Sequence, residues 1–243
     1  MNSNYNRFFI PIPISIGQVI ELPSYVINKL INTLRLRQGD QIRIFNNDKE
    51  FIATISELET RKIKIIVGKE LAHVKEPSLK LHLFQCMLKN QNMDLVIQKA
   101  TELGATEFTP VLSKNSLVKL QTNKMEKKMA HWFEISRHAA EQCGRIKLLK
   151  LNCPIKLEQV FIENNNANCL VLNPNDGKGL LELKKVKPEV IIFCGPEKGF
   201  YESEVKFLTK IGFKNLRLGP RTLRAETAAI SAISSIQTVW GDH

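Results

Sequence analysis

The stretches IIFCGPEKGF, residues 191–200, and NLRLGPRTLRAETAAIS, residues 215–231, decide the fold. In each, an apolar run reads as a buried strand, a Gly/Pro pair reads as a turn, and a helical pattern follows. Taken singly, such a unit is also an ordinary strand-to-helix connection. In α/β proteins, however, ligand crevices form at strand ends, so two of these turns on nearby strands can enclose one ligand. In the first, Gly195 lets the backbone approach a ligand, Pro196 stiffens the turn, and Gly199 can take a positive φ before a helix starting near Glu202. In the second, Gly219 and Pro220 make the turn, Arg221 and Arg224 beside it invite an anion, and Glu226 falls in the first turn of a helix, where a carboxylate suits the macrodipole. That helix is rich in Ala and Ser. Small residues permit close approach of another backbone, either inside the domain or across a dimer seam.

Working outward, residues 79–243 alternate strand and helix signals. LKLHLFQCML reads as a strand, and from Asn92 the residues Met93, Val96, Ile97, Ala100 and Leu103 mark a helix that Gly104 ends. The strand EFTPVLS, a basic amphipathic helix over 122–143, and strands at KLLKL, NCLVLN, EVIIFCG and NLRLG complete the series. Alternation of this kind predicts an α/β domain with a mostly parallel sheet. Residues 1–72 look mainly β: QIRIF and KEFIATI flank Asn46, Asn47 and Asp48 as a hairpin, RKIKIIVG follows, and one helix starts at Ser24 as its N-cap. These residues predict a small barrel or curled sheet, and HVKEPS, residues 73–78, reads as a linker.

The chain has 243 residues, 43% of them apolar, enough to bury a full core. Its 35 Lys and Arg against 24 Asp and Glu give a formal charge of +11, which favours a polyanionic partner such as nucleic acid. The charge is spread over both halves with no long basic run, against a disordered basic arm. Five cysteines without a CxxC pair read as reduced residues, and FFIPIPISI after Arg7 alternates and carries prolines unlike an export signal. No apolar run reaches the ~18 residues of a membrane span. These features predict a cytoplasmic protein. HExxH, paired Cys/His spacings, GxSxG, GxxxxGK[ST] and GxGxxG do not occur, which leaves little support for a zinc site and removes the usual signatures of a serine hydrolase, a phosphate loop and a dinucleotide turn.

Four ordered motifs then carry a family resemblance. GPEKGFYESE resembles GPEGGFSxxE, and LGPRTLRAETA resembles LGxRILRxETA, of the RsmE-type 16S rRNA (uracil-N3)-methyltransferases in the SPOUT superfamily. MDLVIQKATELGATEFTPV and AAEQCGR, residues 139–145, match the family's central helix and strand and its EQxxR segment, and RFF at 7–9 also fits. The resemblance spans nearly the whole chain. It implies a PUA-like β-barrel RNA-binding domain over 1–72 and a SPOUT methyltransferase domain over 79–243 with a C-terminal trefoil knot. It also implies S-adenosylmethionine as cofactor, 16S rRNA of the small ribosomal subunit as partner, and a homodimer.

By position, the resemblance implies that Gly195, Pro196, Glu197, Gly199, Leu216, Leu218, Gly219 and Leu223 wrap the cofactor, with Leu172 and Asn173 closing a third side. Arg7, Lys89, Lys99, Arg145 and Arg221 are the candidates for RNA phosphate contacts. Methylation at N3 of uridine needs an unpaired base and loss of the imide proton. Arg224 is the expected stabiliser of charge on the uracil oxygens, and Glu197 and Glu226 are alternative proton acceptors. Two positions depart from the family. Lys198 replaces the second glycine of GPEGGF, which implies strain if φ there is positive and added charge if it faces the ligand; Leu149 stands where members have proline. A SPOUT enzyme acting on another RNA, a non-catalytic RNA-binding assembly factor whose cofactor site Lys198 has spoiled, and a small-molecule α/β enzyme remain alternatives at this stage.

Overall fold

A computed structural model describes residues 6–30, 34–59, 62–72, 76–116, 122–161, 167–185 and 187–243. Residues 73–75 of the expected linker lie outside the described residues. Two compact units form: Met1–Glu76 with Ala140–Leu148, and Pro77–Ala139 with Leu149–His243. Residues 140–148, which the sequence places in the second domain, thus cluster with the first unit. No helix among the described residues is long and apolar enough to cross a membrane.

Among its described residues the first unit holds five strands, β1 (Arg7–Phe9), β2 (Val19–Glu21), β3 (Gln41–Phe45), β4 (Glu50–Leu58) and β5 (Ile63–Leu71), in the order β1-β3-β4-β5-β2. Only β1 and β3 run parallel; the remaining pairings are antiparallel. Alternate residues Ile42 and Ile44, Phe51, Ala53 and Ile55, and Ile63, Ile65 and Val67 point into one core, as a period of two requires. The β3–β4 hairpin turns at Asn47, whose φ is 69°, with Asn46 Oδ1 accepting from Lys49 N at 3.1 Å. Helix α1 (Ser24–Lys29) begins where expected, but Pro23 occupies the N-cap and no side chain caps it. Proline supplies a fixed φ in place of the hydroxyl bond that Ser24 was expected to make.

Arg7 organises this unit. Its guanidinium donates to both carboxylate oxygens of Glu50 (2.9 and 3.0 Å) and to the carbonyls of Ala140, Glu141, Gly144 and Arg145. It also stacks over Phe45. Ala140 and Ile146 pack with Phe9 and Phe45, and Glu141 accepts from Phe9 N at 3.2 Å.

The second unit is built on β6 (Lys80–Cys86), β7 (Glu107–Leu112), β8 (Lys150–Leu151), β9 (Ile155–Lys156), β10 (Ala167–Leu172), β11 (Glu189–Cys194) and β12 (Lys214–Leu216). Their order is β12-β10-β11-β6-β7-β8, with β9 also on β7, and every pairing is parallel. Along β11, Val190, Ile192 and Cys194 join a core with α2 (Asn90–Glu102) and α5 (Ala225–Trp240). Phe193 faces the other way, into a core with Leu208 of α4 (Glu202–Lys210). Both sheet faces are covered, which is why these strands are nearly continuously apolar. The helix α3 (Thr122–Cys143) matches the basic amphipathic stretch, and α2 ends at Gly104 with φ +83°. The expected strands KLLKL and NLRLG are shorter than read, as β8 and β12.

At the N-terminal ends of β6 and β7, His82 Nε2 is hydrogen-bonded to Thr109 Oγ1 at 2.7 Å and the ring stacks on Phe84. Asn152 donates to both Glu107 and Thr109 at 2.7 Å. Burial lowers the pKa of His82 to about 4, so the folded protein holds it neutral. The unfolded chain takes up the proton near 6.5, so acidification from pH 6.5 toward 4 favours unfolding by up to about 1.4 kcal/mol per pH unit through this group. Urea unfolding at a series of pH values checks this: His82→Gln flattens the loss of stability across that window.

Candidate active site

Strands β12, β10 and β11 are neighbours and parallel, so the segments that follow them leave the sheet side by side. Residues from these segments, within 173–175, 195–200 and 218–223, line one cavity of about 640 Å3. That volume suits a small-molecule site, typically roughly 300–1,000 Å3.

After β11, Gly199 takes φ +72° and its N–H donates to Pro196 O at 2.9 Å. A Cβ on Gly195 would lie 3.1 Å from the Phe200 ring, so the close approach there suits glycine. Gln85 Nε2 donates to Gly195 O, and Glu197 Oε1 accepts from Lys89 N at 2.9 Å. The second Glu197 oxygen is buried without a hydrogen-bond partner. Lys198 is exposed on the cavity wall, and its φ is not positive; the left-handed position is Gly199. The backbone strain considered for Lys198 therefore does not arise.

After β10, Asn173 N donates to Leu216 O at 3.0 Å, and Asn215 Nδ2 donates to Asp176 Oδ2 at 2.7 Å. Gly177, with φ +117°, passes so close to β12 that an added Cβ would meet Asn215 O at 2.6 Å. After β12, Gly219 turns with φ +134° and leads through Arg221, Thr222 and Leu223 into α5.

All the residues expected to wrap a cofactor line this one cavity: Leu172, Asn173, Gly195, Pro196, Glu197, Gly199, Leu216, Leu218, Gly219 and Leu223. Phe200, Thr222, Ala225 and Ala228 line it as well. They were not among the expected cofactor residues, although each lies within a quoted motif. Gly177 and Asp176, which shape the segment after β10 without lining the cavity, also went unread; the Asn-Asp-Gly run was their signal.

The catalytic candidates separate. Arg224 is exposed at the N-cap of α5, between the lining residues Leu223 and Ala225. Glu197 is on the wall. Glu226 is buried and not on the wall, on the helix face of Ala229, Ile233 and Ile236, a placement its spacing from them already indicated.

The RNA candidates separate too. Arg221 lines the cavity, and Lys89 is exposed with its own N–H on Glu197. Lys99 pairs with Glu102 on α2. Arg7 and Arg145 are engaged inside the first unit. Arg7 is half-buried with its N–H groups turned to Glu50 and four carbonyls, and the half-buried Arg145 pairs with Glu76 at 3.4 Å. A phosphate would have to displace these internal partners. A further cavity of about 510 Å3, between residues 9–14 and 46–49 of the first unit, holds none of the expected site residues.

A family profile described as an RNA methyltransferase domain matches residues 75–237, and one described as an RNA methyltransferase PUA domain matches 30–68. Fold and cavity together thus define a protein of the RNA methyltransferase class. Ribosomal RNA small subunit methyltransferase E of Buchnera aphidicola (subsp. Schizaphis graminum) is 32% identical over 100% of this chain and 99% of its own. That of Bacillus subtilis is 30% identical over 95% of both. The Neisseria gonorrhoeae enzyme of the same name, solved with S-adenosylmethionine, superposes with a TM-score of 0.92 at 30% identity, covering 98% of this chain and 99% of that one. A Legionella pneumophila protein solved with the same cofactor gives 0.95 at 36%, covering 99% and 100%. The chain belongs to the ribosomal RNA small subunit methyltransferase E family.

Gly177→Ala is expected to destabilise the protein by about 2 kcal/mol or more, because positive φ and a backbone clash act together. The midpoint of urea unfolding measures it.

Proposed function

We propose that this chain transfers a methyl group from S-adenosylmethionine to N3 of a uridine in 16S rRNA of the small ribosomal subunit. The observation that carries this reading is the convergence of three chain segments, widely separated in sequence, on one cavity at the carboxyl ends of three parallel strands. The residues present fit the donor. Leu172, Leu216, Leu218 and Leu223 offer apolar surface for an adenine ring, and the Glu197 carboxylate on the wall suits a cationic ligand. When bound, S-adenosylmethionine supplies an electrophilic methyl on a sulfonium.

The chain's own residues do the rest. Arg224, free to point into solvent at the cavity edge, stabilises negative charge on the uracil oxygens as the N3 proton departs. Glu197 is the proton acceptor that the geometry favours, because Glu226 is not on the cavity wall. Arg221 and Lys89 hold phosphates near the cavity and position the RNA without reading its bases. Residues 1–72 form a PUA-like barrel that adds RNA-binding surface, an assignment supported by the profile match at 30–68. Residues 79–243 form the SPOUT domain, with its C-terminal segments threaded as a trefoil knot. Two copies associate in the cytoplasm through the small-residue helix α5, whose Thr227, Ile230, Ser231 and Ser234 lie outside the buried face.

Arg224→Ala should lower turnover by a factor of about 100 or more while leaving donor affinity within about twofold. Methyl transfer to small subunits from cells lacking the protein, with mass-spectrometric mapping of 3-methyluridine, reads the first; calorimetry reads the second. Full turnover in this variant removes Arg224 from the mechanism, and absence of 3-methyluridine in wild-type reactions removes the reading itself.

Lys198 adds a positive charge at the wall, which disfavours the cationic donor relative to its neutral-sulfur product. Lys198→Gly is expected to raise the preference for S-adenosylmethionine over S-adenosylhomocysteine by about two- to threefold at low salt, and less at high salt. Paired titrations with both ligands measure the ratio.

A further inference from the structure

The turn over 195–201 is secured largely from outside itself. Asn115 Nδ2 donates to Gly199 O at 3.0 Å, adding to the bonds from Gln85 and to Glu197 already described. The strongest tie is Glu204, in the first turn of α4 and only 3% exposed. One of its oxygens accepts from Tyr201 N and the other from Lys114 N, each at 2.9 Å.

The bond to Tyr201 N closes the end of the helix, as a carboxylate at this position commonly does. Capping explains only that half. The second oxygen reaches a backbone 90 residues earlier in the chain, in the loop after β7, where Ser113 N donates to Ser116 Oγ at 3.1 Å. A buried carboxylate is costly unless both oxygens are satisfied. Here the two bonds couple the turn that forms one cavity wall to a loop on another strand end.

We infer that Glu204 is a positioning residue for the donor site, fixing the 195–201 turn against loop 113–116 so that the cavity wall is formed before the ligand arrives. Asn115 braces the same turn from the same loop. A wall set in advance saves the ligand the free energy of ordering it, so loosening it weakens binding. The chemistry itself stays intact, because neither side chain lines the cavity. This inference rests on the methyltransferase reading above.

The test is calorimetric titration of the full chain with S-adenosylmethionine, together with thermal melting and steady-state kinetics on small subunits. Glu204→Gln, which can satisfy only one of the two amides, is expected to weaken donor binding about tenfold, and Asn115→Ala about threefold. In both, the donor KM rises while kcat at saturating donor stays within about twofold. Ile65→Ala, in the core of the first unit, which contains no cavity-lining residue, supplies the contrast: it lowers the melting temperature without changing donor affinity. Wild-type affinity and donor KM in both Glu204→Gln and Asn115→Ala overturn the inference, and Asn115→Ala decides alone if the Glu204 variant does not fold. No donor binding by the wild-type protein overturns the methyltransferase reading and this inference together; wild-type binding with unchanged variants strikes only the inference.

Discussion

Parallel pairing in the seven-stranded sheet is the constraint from which the site follows. In a parallel sheet all strands finish on the same side, and β12, β10 and β11 finish next to one another. Segments that begin at residues 173, 195 and 217 are distant in the chain but leave the sheet as neighbours. The apolar runs of β10 and β11, buried on both faces, keep those ends in place. Nothing in the three loops has to bring them together; they have only to take the right local shape, and positive φ at Gly177, Gly199 and Gly219 supplies it.

Much of this was legible before any coordinates. The buried face of α2 was written in Met93, Val96, Ile97 and Ala100, and its end in Gly104, because helical period and a left-handed glycine are local signals. The cavity wall was legible through Gly/Pro turns and a family resemblance that both concern backbone shape. What escaped was long-range. The charge of Arg7 is visible in the sequence, but its ties to Glu50 and to carbonyls more than 130 residues away are not. A basic residue committed inside the protein and one offered to phosphate look alike until their neighbours are known. For the same reason residues 140–148 could not be assigned to the first unit, and the pairing of Asp176 with Asn215 could not be read from its turn signal alone.

Lys198 shows the converse. A motif written with two glycines suggests two positions of special backbone, yet only Gly199 has φ in the left-handed region. The position before it accepts a side chain without distortion, so substitution there tunes charge and leaves the turn's shape alone. Conformational need and chemical need are thus separable position by position: Gly199 answers the first and residue 198 the second.

The hold of Arg7 on the end of α3 has a consequence for how the chain is made. Carbonyls of Ala140 and Glu141 in the last helical turn, and of Gly144 and Arg145 just past it, find their donor near the amino terminus. A ribosome that has released only the first 76 residues has delivered the arginine and Glu50 but not the carbonyls. The first unit therefore stays unfinished until residues 77–139 of the second have been made, and maturation of the two becomes interlocked in time, with β1 waiting on a segment born much later.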